Sequence, residues 1–259
     1  MTHASVHIGL SGDAKRLIWD VFFVQAGRGV DFETHLPWSD APETRSVMLR
    51  DASGAAVATA VIRPAPQDAV AMIGFVCVAA RARGRGHGRT LIESSTQAID
   101  AAGFQASLLW TGKPEVYADH GYGIVGRDHF LHVARRLPAG PATSLARSDP
   151  WPPLGSLSGL PAFAIAGSRY QSDRAQAVLV RGAKGVTLLD WQGDLADVMT
   201  LLDAAGLARW SVNIPEADPF LNVLDPDLFT VTTHPGALTM ARRADSAVPL
   251  DYVAVADRI

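Results

Sequence analysis

The residues best suited to chemistry lie in one run, Arg83-Gly84-Arg85-Gly86-His87-Gly88-Arg89, set between Val76-Cys77-Val78 and Leu91-Ile92. A β-type segment delivers the run, and a helix begins where it ends. Glycines at 84, 86 and 88 let the backbone approach a ligand closely and expose its N–H groups. The helix N-terminus adds positive potential at the same place. Together these features make a cradle for a diphosphate, with Arg83, Arg85 and Arg89 as counter-charges. Rival phosphate motifs fit poorly. The alternating glycines do not give the G-x-G-x-x-G spacing of dinucleotide folds, and no Gly-Lys-Ser/Thr occurs. A basic RNA-binding tract would be longer and interleaved with aromatics, which this run lacks.

The flanking pattern says what must position the loop. Leu17, Ile18, Val21, Phe22 and Val24 recur at helical spacing after Ser11-Gly12-Asp13, predicting an amphipathic helix that ends near Gly27. β-type segments follow at 44–50, 57–63 and 70–78, separated by Asp51-Ala52-Ser53-Gly54 and by Pro64-Ala65-Pro66. Beyond the loop, Leu91, Ile92, Ser95, Ala98, Ile99 and Ala102 share a helical face that stops at Gly103. A strand at 104–110, a short helix at 114–120 and a strand at 128–136 complete the first half. The order predicts an α/β layer structure, mostly antiparallel at its start.

Residues 137–161 hold six of the sixteen prolines and no usable periodicity, which reads as a linker. The pattern then resumes, with strands at 177–181 and 186–191, a helix at 195–205 and a strand at 208–213. A short helix at 220–224 and a hairpin pairing 229–232 with 237–242 follow. This repeats the later element order of the first half with little sequence similarity.

Composition narrows the classes. With 48% hydrophobic and 19% charged residues, the 259-residue chain is globular. A net charge of −3 gives no general reason to bind nucleic acid or anionic membrane. The single cysteine, Cys77, allows no intrachain disulfide. No apolar run reaches the roughly 20 residues of a membrane span, and the first ten residues are unlike a secretory signal, so a cytoplasmic protein is expected.

The loop resembles the acetyl-CoA signature of the GNAT superfamily of N-acetyltransferases, Arg/Gln-x-x-Gly-x-Gly/Ala, met by Arg83-Gly84-Arg85-Gly86-His87-Gly88. A strand ending at Val78, five residues before Arg83, agrees with the family. So does the stretch from Gly112 to Tyr122, which is similar to the family's loop and short helix. The resemblance covers roughly residues 6–136. It implies an α/β (α+β) fold with a mixed, mostly antiparallel GNAT-like sheet flanked by helices, then a smaller α/β GNAT-like domain. The expected domains are a GNAT acetyltransferase domain at 1–137, a proline-rich linker at 138–164 and a degenerate GNAT-like domain at 165–259. Closing the acceptor site and mediating a homodimer are both roles open to the second domain.

The same resemblance implies direct transfer of acetyl from acetyl-CoA to a primary amine of a small molecule, or, as the alternative, a lapsed acyl-CoA-binding sensor. Donor contacts fall on Val76, Cys77, Val78, Arg83, Gly84, Arg85, Gly86, His87, Gly88 and Arg89. The strand 70–78 is expected to splay from its neighbour, so that the N–H of Val76 or Val78 polarises the thioester. Tyr117 matches the tyrosine that protonates the departing sulfur, and a phenol with pKa ~10 is suited to that task. Tyr122 is expected to pack, Cys77 to be a buried strand residue, and His87 to have no catalytic role.

Many family members carry a glutamate near the position of Met72 or Gly74, neither of which titrates. Replacement candidates near the acceptor are Asp68, Glu33 and His35, with Trp38 lining the pocket. His120, His129 and His132 fit no zinc spacing, so no metal is expected.

Overall fold

The computed structural model describes residues 2–136, 147–243 and 248–259. These form two compact units. One comprises Met1–Gly126, Leu238–Val253 and Asp257–Ile259, and the other Arg127–Ala237 with Ala254–Ala256.

In the first unit, strand β1 (His3–Ile8) precedes helix α1 (Gly12–Trp19), whose Ser11 side chain caps the N–H of Ala14. The predicted helix continues as a π-type turn, Asp20–Val24, and a one-turn helix α2 (Phe32–His35) follows. Strands β2 (Arg45–Arg50), β3 (Ala56–Pro64) and β4 (Val70–Val78) lead to helix α3 (His87–Ala101). Then come β5 (Ala106–Thr111), α4 (Glu115–Ala118) and the start of β6 (Gly123–Arg135). The sheet of this unit runs β1-β2-β3-β4-β5. All neighbours are antiparallel except β4 and β5, which the α3 crossover makes parallel.

The middle of β3 is buried without alternation, because apolar groups cover both of its faces. On one face Ala58, Ala60 and Ile62 meet Leu17 of α1 and Leu91 and Ile99 of α3. On the other face of the sheet, Val70 and Met72 of β4 and Leu108 of β5 meet Val248 and Val253 near the end of the chain.

In the second unit, β7 (Arg147–Trp151), β8 (Ala164–Gln171), β9 (Gln176–Gly182) and β10 (Gly185–Gln192) form antiparallel neighbours. Helix α5 (Leu195–Ala204) crosses over to β11 (Arg209–Pro215), which pairs parallel with β10. The α5 residues Val198, Leu201 and Leu202 pack on Leu179, Leu188 and Val212. A short 3-10 turn, Pro219–Val223, leads to the last strand, β12 (Phe229–Arg243).

Each unit takes its final strand from the other half of the sequence. Residues 238–243 of β12 pair with β5, and β6 pairs with β11. The expected boundary at 137 is therefore displaced to Gly126/Arg127, and residues 238–253 return to the first unit. Of the expected linker, 137–146 lies outside the described residues, while β7 occupies 147–151 and its prolines precede β8. The expected hairpin at 229–242 is one continuous strand, and a Cβ at Gly236 would press on the backbone carbonyl of Asp128. The Pro235-Gly236 pair marks a close approach, not a turn. No helix among the described residues is long and apolar enough to cross a membrane.

Candidate active site

The loop leaves β4 at Val78, makes a 3-10 turn at Ala80–Ala82 and enters α3 with Gly86 as its N-cap. Gly84 and Gly86 adopt φ of 74° and 81°, and a Cβ at either would meet nothing within 4 Å. Backbone conformation, not crowding, thus selects glycine there. No side chain caps α3, and its first turn contains no acidic residue, so the leading N–H groups remain available to an anion. Arg83 donates from Nε to the Val78 carbonyl at 3.2 Å, which fixes the loop to the strand end. Arg85 and Arg89 are exposed at the same helix end. His87 is half-buried at the first helical position.

Strand β4 opens beside this loop. Its parallel pairing with β5 covers only Val70, Ala71 and Met72. The β3–β4 register shifts between Thr59 and Val61, opposite Phe75, whose φ is +47°. This bulge carries strain that a β-type residue ordinarily avoids. Ala79 donates its N–H to Val57 on β3 at 2.8 Å. By strand alternation Val78 and Val76 turn their N–H groups to the opposite edge, the one β5 leaves unpaired. Cys77 instead pairs with Thr59 on β3 and buries its side chain in the core. Burial pushes its thiol up to about 12, so it is no nucleophile at neutral pH.

Tyr117 on α4 packs on the apolar cluster that also contains Val76, Val78 and Phe22. Burial raises its phenol above the ordinary tyrosine value. Its ring meets the edge of Tyr122 at 6.1 Å. The Tyr122 hydroxyl is occupied by a 2.8 Å hydrogen bond with Ser107, in keeping with a packing role.

The acceptor candidates separate sharply. His35 is only 3% exposed, its Nε2 accepts the Val30 N–H at 3.0 Å, and its ring lies 4.7 Å from that of Phe23. It braces the 30–36 loop and has no acceptor left at Nε2 for a substrate proton. Glu33 is exposed on α2. Asp68 lies in the turn before β4, at the end away from the loop, and the six-residue step along the strand from Val70 to Val76 spans roughly 20 Å. That distance removes it from thioester chemistry. Trp38 is buried, 6.0 Å from the Phe75 ring, with the Arg63 guanidinium 4.6 Å over its face.

Three contributors went unread in the sequence: the bulged Phe75, Arg63, and the chain near Ile259. A Cβ at Gly74 would run into the Ile259 backbone carbonyl. The bulge leaves no periodic trace. The 184 residues between Gly74 and Ile259 hide their contact from any local pattern. Among the described residues, no three His, Cys, Asp or Glu side chains group to hold a metal ion.

Residues 13–123 match the model of the Acetyltransferase (GNAT) family. Among solved structures, a GCN5-related N-acetyltransferase from Anabaena variabilis is similar at TM-score 0.67 and 12% identity, covering 94% of this chain and 73% of its own. A GCN5-related N-acetyltransferase from Kribbella flavida has TM-score 0.56 and 16% identity, covering 93% and 71%. Eis1 from Mycobacterium abscessus has TM-score 0.59 and 14% identity, covering 94% and 74%. At these identities the likeness is one of fold. No curated protein sequence matches the chain.

Proposed function

Because residues 13–123 are an acetyltransferase domain of the GNAT family, we propose that the chain transfers acetyl from acetyl-CoA directly to a primary amine of a small molecule. The observation that carries this reading is the uncapped, acid-free N-terminus of α3, reached through Gly84 and Gly86 from the unpaired edge of β4. The N–H groups of residues 86–89, with Arg85 and Arg89, would hold the pyrophosphate. The edge of β4 would pair with the pantetheine arm, and Val76 or Val78 would polarise the carbonyl. Tyr117 would give the leaving sulfur its proton, and its raised pKa keeps it protonated for that step.

We read the second unit as a degenerate copy. It repeats the bulge, with a register shift between Leu188 and Asp190, and a parallel pairing confined to Thr187 and Leu188. It lacks the cradle. Only Gly193 and Asp194 join β10 to α5, and Asp194 and Asp197 put negative charge at that helix start, where a phosphate would be repelled.

Calorimetry with acetyl-CoA tests the donor site. Gly86→Glu places an anion in the cradle and should abolish binding, while Gly86→Ala, which carries only the cost of its φ, should retain most of it. Equal affinity in folded Gly86→Glu and wild type would overturn the loop assignment. The absence of an acidic or histidine side chain on β4 favours a second reading, a lapsed acyl-CoA sensor. Binding of acetyl-CoA with no CoA release across a panel of amines would select it.

A further inference from the structure

An amine arriving as an ammonium ion needs a proton acceptor before it can attack, and β4, whose residues are VAMIGFVCV, supplies none. His35 and Asp68 are removed by geometry. The final 3-10 turn, Val255–Asp257, brings in another carboxylate. Asp257 belongs to the first unit, two residues before Ile259, whose carbonyl backs Gly74 next to the Phe75 bulge. The Asp257 carboxyl feels the positive charge of Arg63 on β3. Arg63 lies over Trp38, and Trp38 in turn contacts Phe75. Arg63, Trp38 and Phe75 thus form one run of contacts, a wall ending at the bulged stretch that carries Val76, and Asp257 is brought beside it by Ile259, two residues on.

The electrostatics of this wall are unfinished. Arg63 has its buried Nε without a hydrogen-bond partner among the described residues, and it forms no direct ion pair with Asp257 there. Asp257 keeps an exposed side chain, open to an incoming molecule. Desolvation nonetheless pushes its carboxyl above the ordinary carboxylate value, and Arg63 pulls it part of the way back. Glu43, ahead of β2, also acts on the Arg63 guanidinium. Arg258 stacks over Trp110 and Tyr252 at 4.7 and 5.1 Å and donates from Nε to the Val253 carbonyl at 3.0 Å. Two carboxylates and one guanidinium leave the wall net negative and edged with aromatic rings, which suits a cation.

On the acetyl-transfer reading above, we infer that Asp257 is the anchor and proton acceptor for the amine, which binds as an ammonium ion. The ammonium gives one proton to the Asp257 carboxylate. Its nitrogen lone pair forms the C–N bond at the thioester carbonyl, and the C–S bond breaks with its electron pair on sulfur. Tyr117 protonates the sulfur, the nitrogen's second proton restores the phenol, and Asp257 releases its proton to solvent. The products are the amide, CoA thiol and one proton. Arg63 is a positioning residue that holds the carboxylate charged.

The test is the pH dependence of kcat/KM with phenethylamine and with the less basic benzylamine, alongside acetyl-CoA calorimetry. The wild type should lose activity as pH falls through the Asp257 value, at the same pH for both amines. Asp257→Asn should bind acetyl-CoA normally, lose kcat/KM by about 10² or more and lack that acid limb, with partial recovery in Asp257→Glu. Arg63→Gln leaves the carboxylate in place and removes its cation, so the limb should move to higher pH. Wild-type kcat/KM with an unmoved limb in both Asp257→Asn and Arg63→Gln would overturn the role of Asp257 and leave acetyl transfer standing. A wild-type protein that binds no acetyl-CoA, or binds it without acetylating either amine, would overturn the reading beneath it as well.

Discussion

Tyr117 has a ring half-buried on a cluster shared with Val76 and Val78, and its phenol is held above the usual value by desolvation. In the proposed role of general acid Tyr117 must be protonated when the thiolate departs, so a raised pKa would extend the active range upward. Activity limited by acetyl transfer should then fall only as pH rises past the raised tyrosine value. Tyr117→Phe keeps the ring and removes the proton. With chemistry shown to limit the rate, kcat should drop about 100-fold with acetyl-CoA affinity nearly unchanged. Wild-type kcat in that variant would assign the acid elsewhere. The glycine loop's conformation and its place at the start of α3 were legible in the sequence because they sit in a short motif whose spacing sets the geometry. His35 was misleading for the opposite reason. A histidine beside a loop reads as accessible, and only the contacts with Phe23 and the Val30 N–H show it spent on structure.

Among the elements, β2 to β5 and α3 were legible because burial forces a clear pattern on their residues. β1 was not. Its side chains are mostly exposed, and a polar edge strand such as HASVHI carries little hydrophobic alternation. Contacts between elements were less legible still, as Gly74 on β4 illustrates. Gly74→Ala should push the Ile259 backbone off the strand and destabilise the fold by about 1–3 kcal/mol through overpacking. Hydrogen exchange should quicken at 253–259, and unchanged protection there would show that the contact is dispensable. A second link joins α3 to β12, where Arg242 donates to both Asp100 oxygens at 2.7 Å. The hydrogen bonds from Arg242 hold the Asp100 carboxyl below its ordinary value. The pair therefore stabilises the fold above the unfolded carboxylate pKa of ~3.9, and the contribution is lost as pH falls through the lower folded value. With Asp100 46% exposed, screening limits the effect to about 0.5–1 kcal/mol. Asp100→Ala should lower Tm by roughly 1–3 °C at pH 7 and by less near pH 3. An equal shift at both pH values would locate the effect outside the ion pair.

For the whole molecule, the sequence suggests two consecutive domains, because the proline-rich stretch interrupts periodicity between two similar runs of elements. Strand exchange leaves no such local sign. It appears only in the pairing of 238–243 with β5 and of β6 with β11. The consequence is physical. A chain ending at Arg136 would lack the partner of β5 and leave its N–H and C=O groups facing water along a flat edge. It would also lose Ala241, Val248 and Val253, which bury Val70, Met72 and Leu108. Those apolar side chains would be exposed at a cost of about 25 cal/mol per Å², large against the few kcal/mol by which domains are stable. The fragment 1–136 should therefore fail to unfold cooperatively by circular dichroism, elute as an aggregate and bind no acetyl-CoA, although it holds every residue of the donor loop and Tyr117. A monomeric 1–136 with a sharp thermal transition and wild-type affinity would mean that β12 and the chain end are accessory to the first unit. The acetyltransferase fold would then be complete within the residues that match its family.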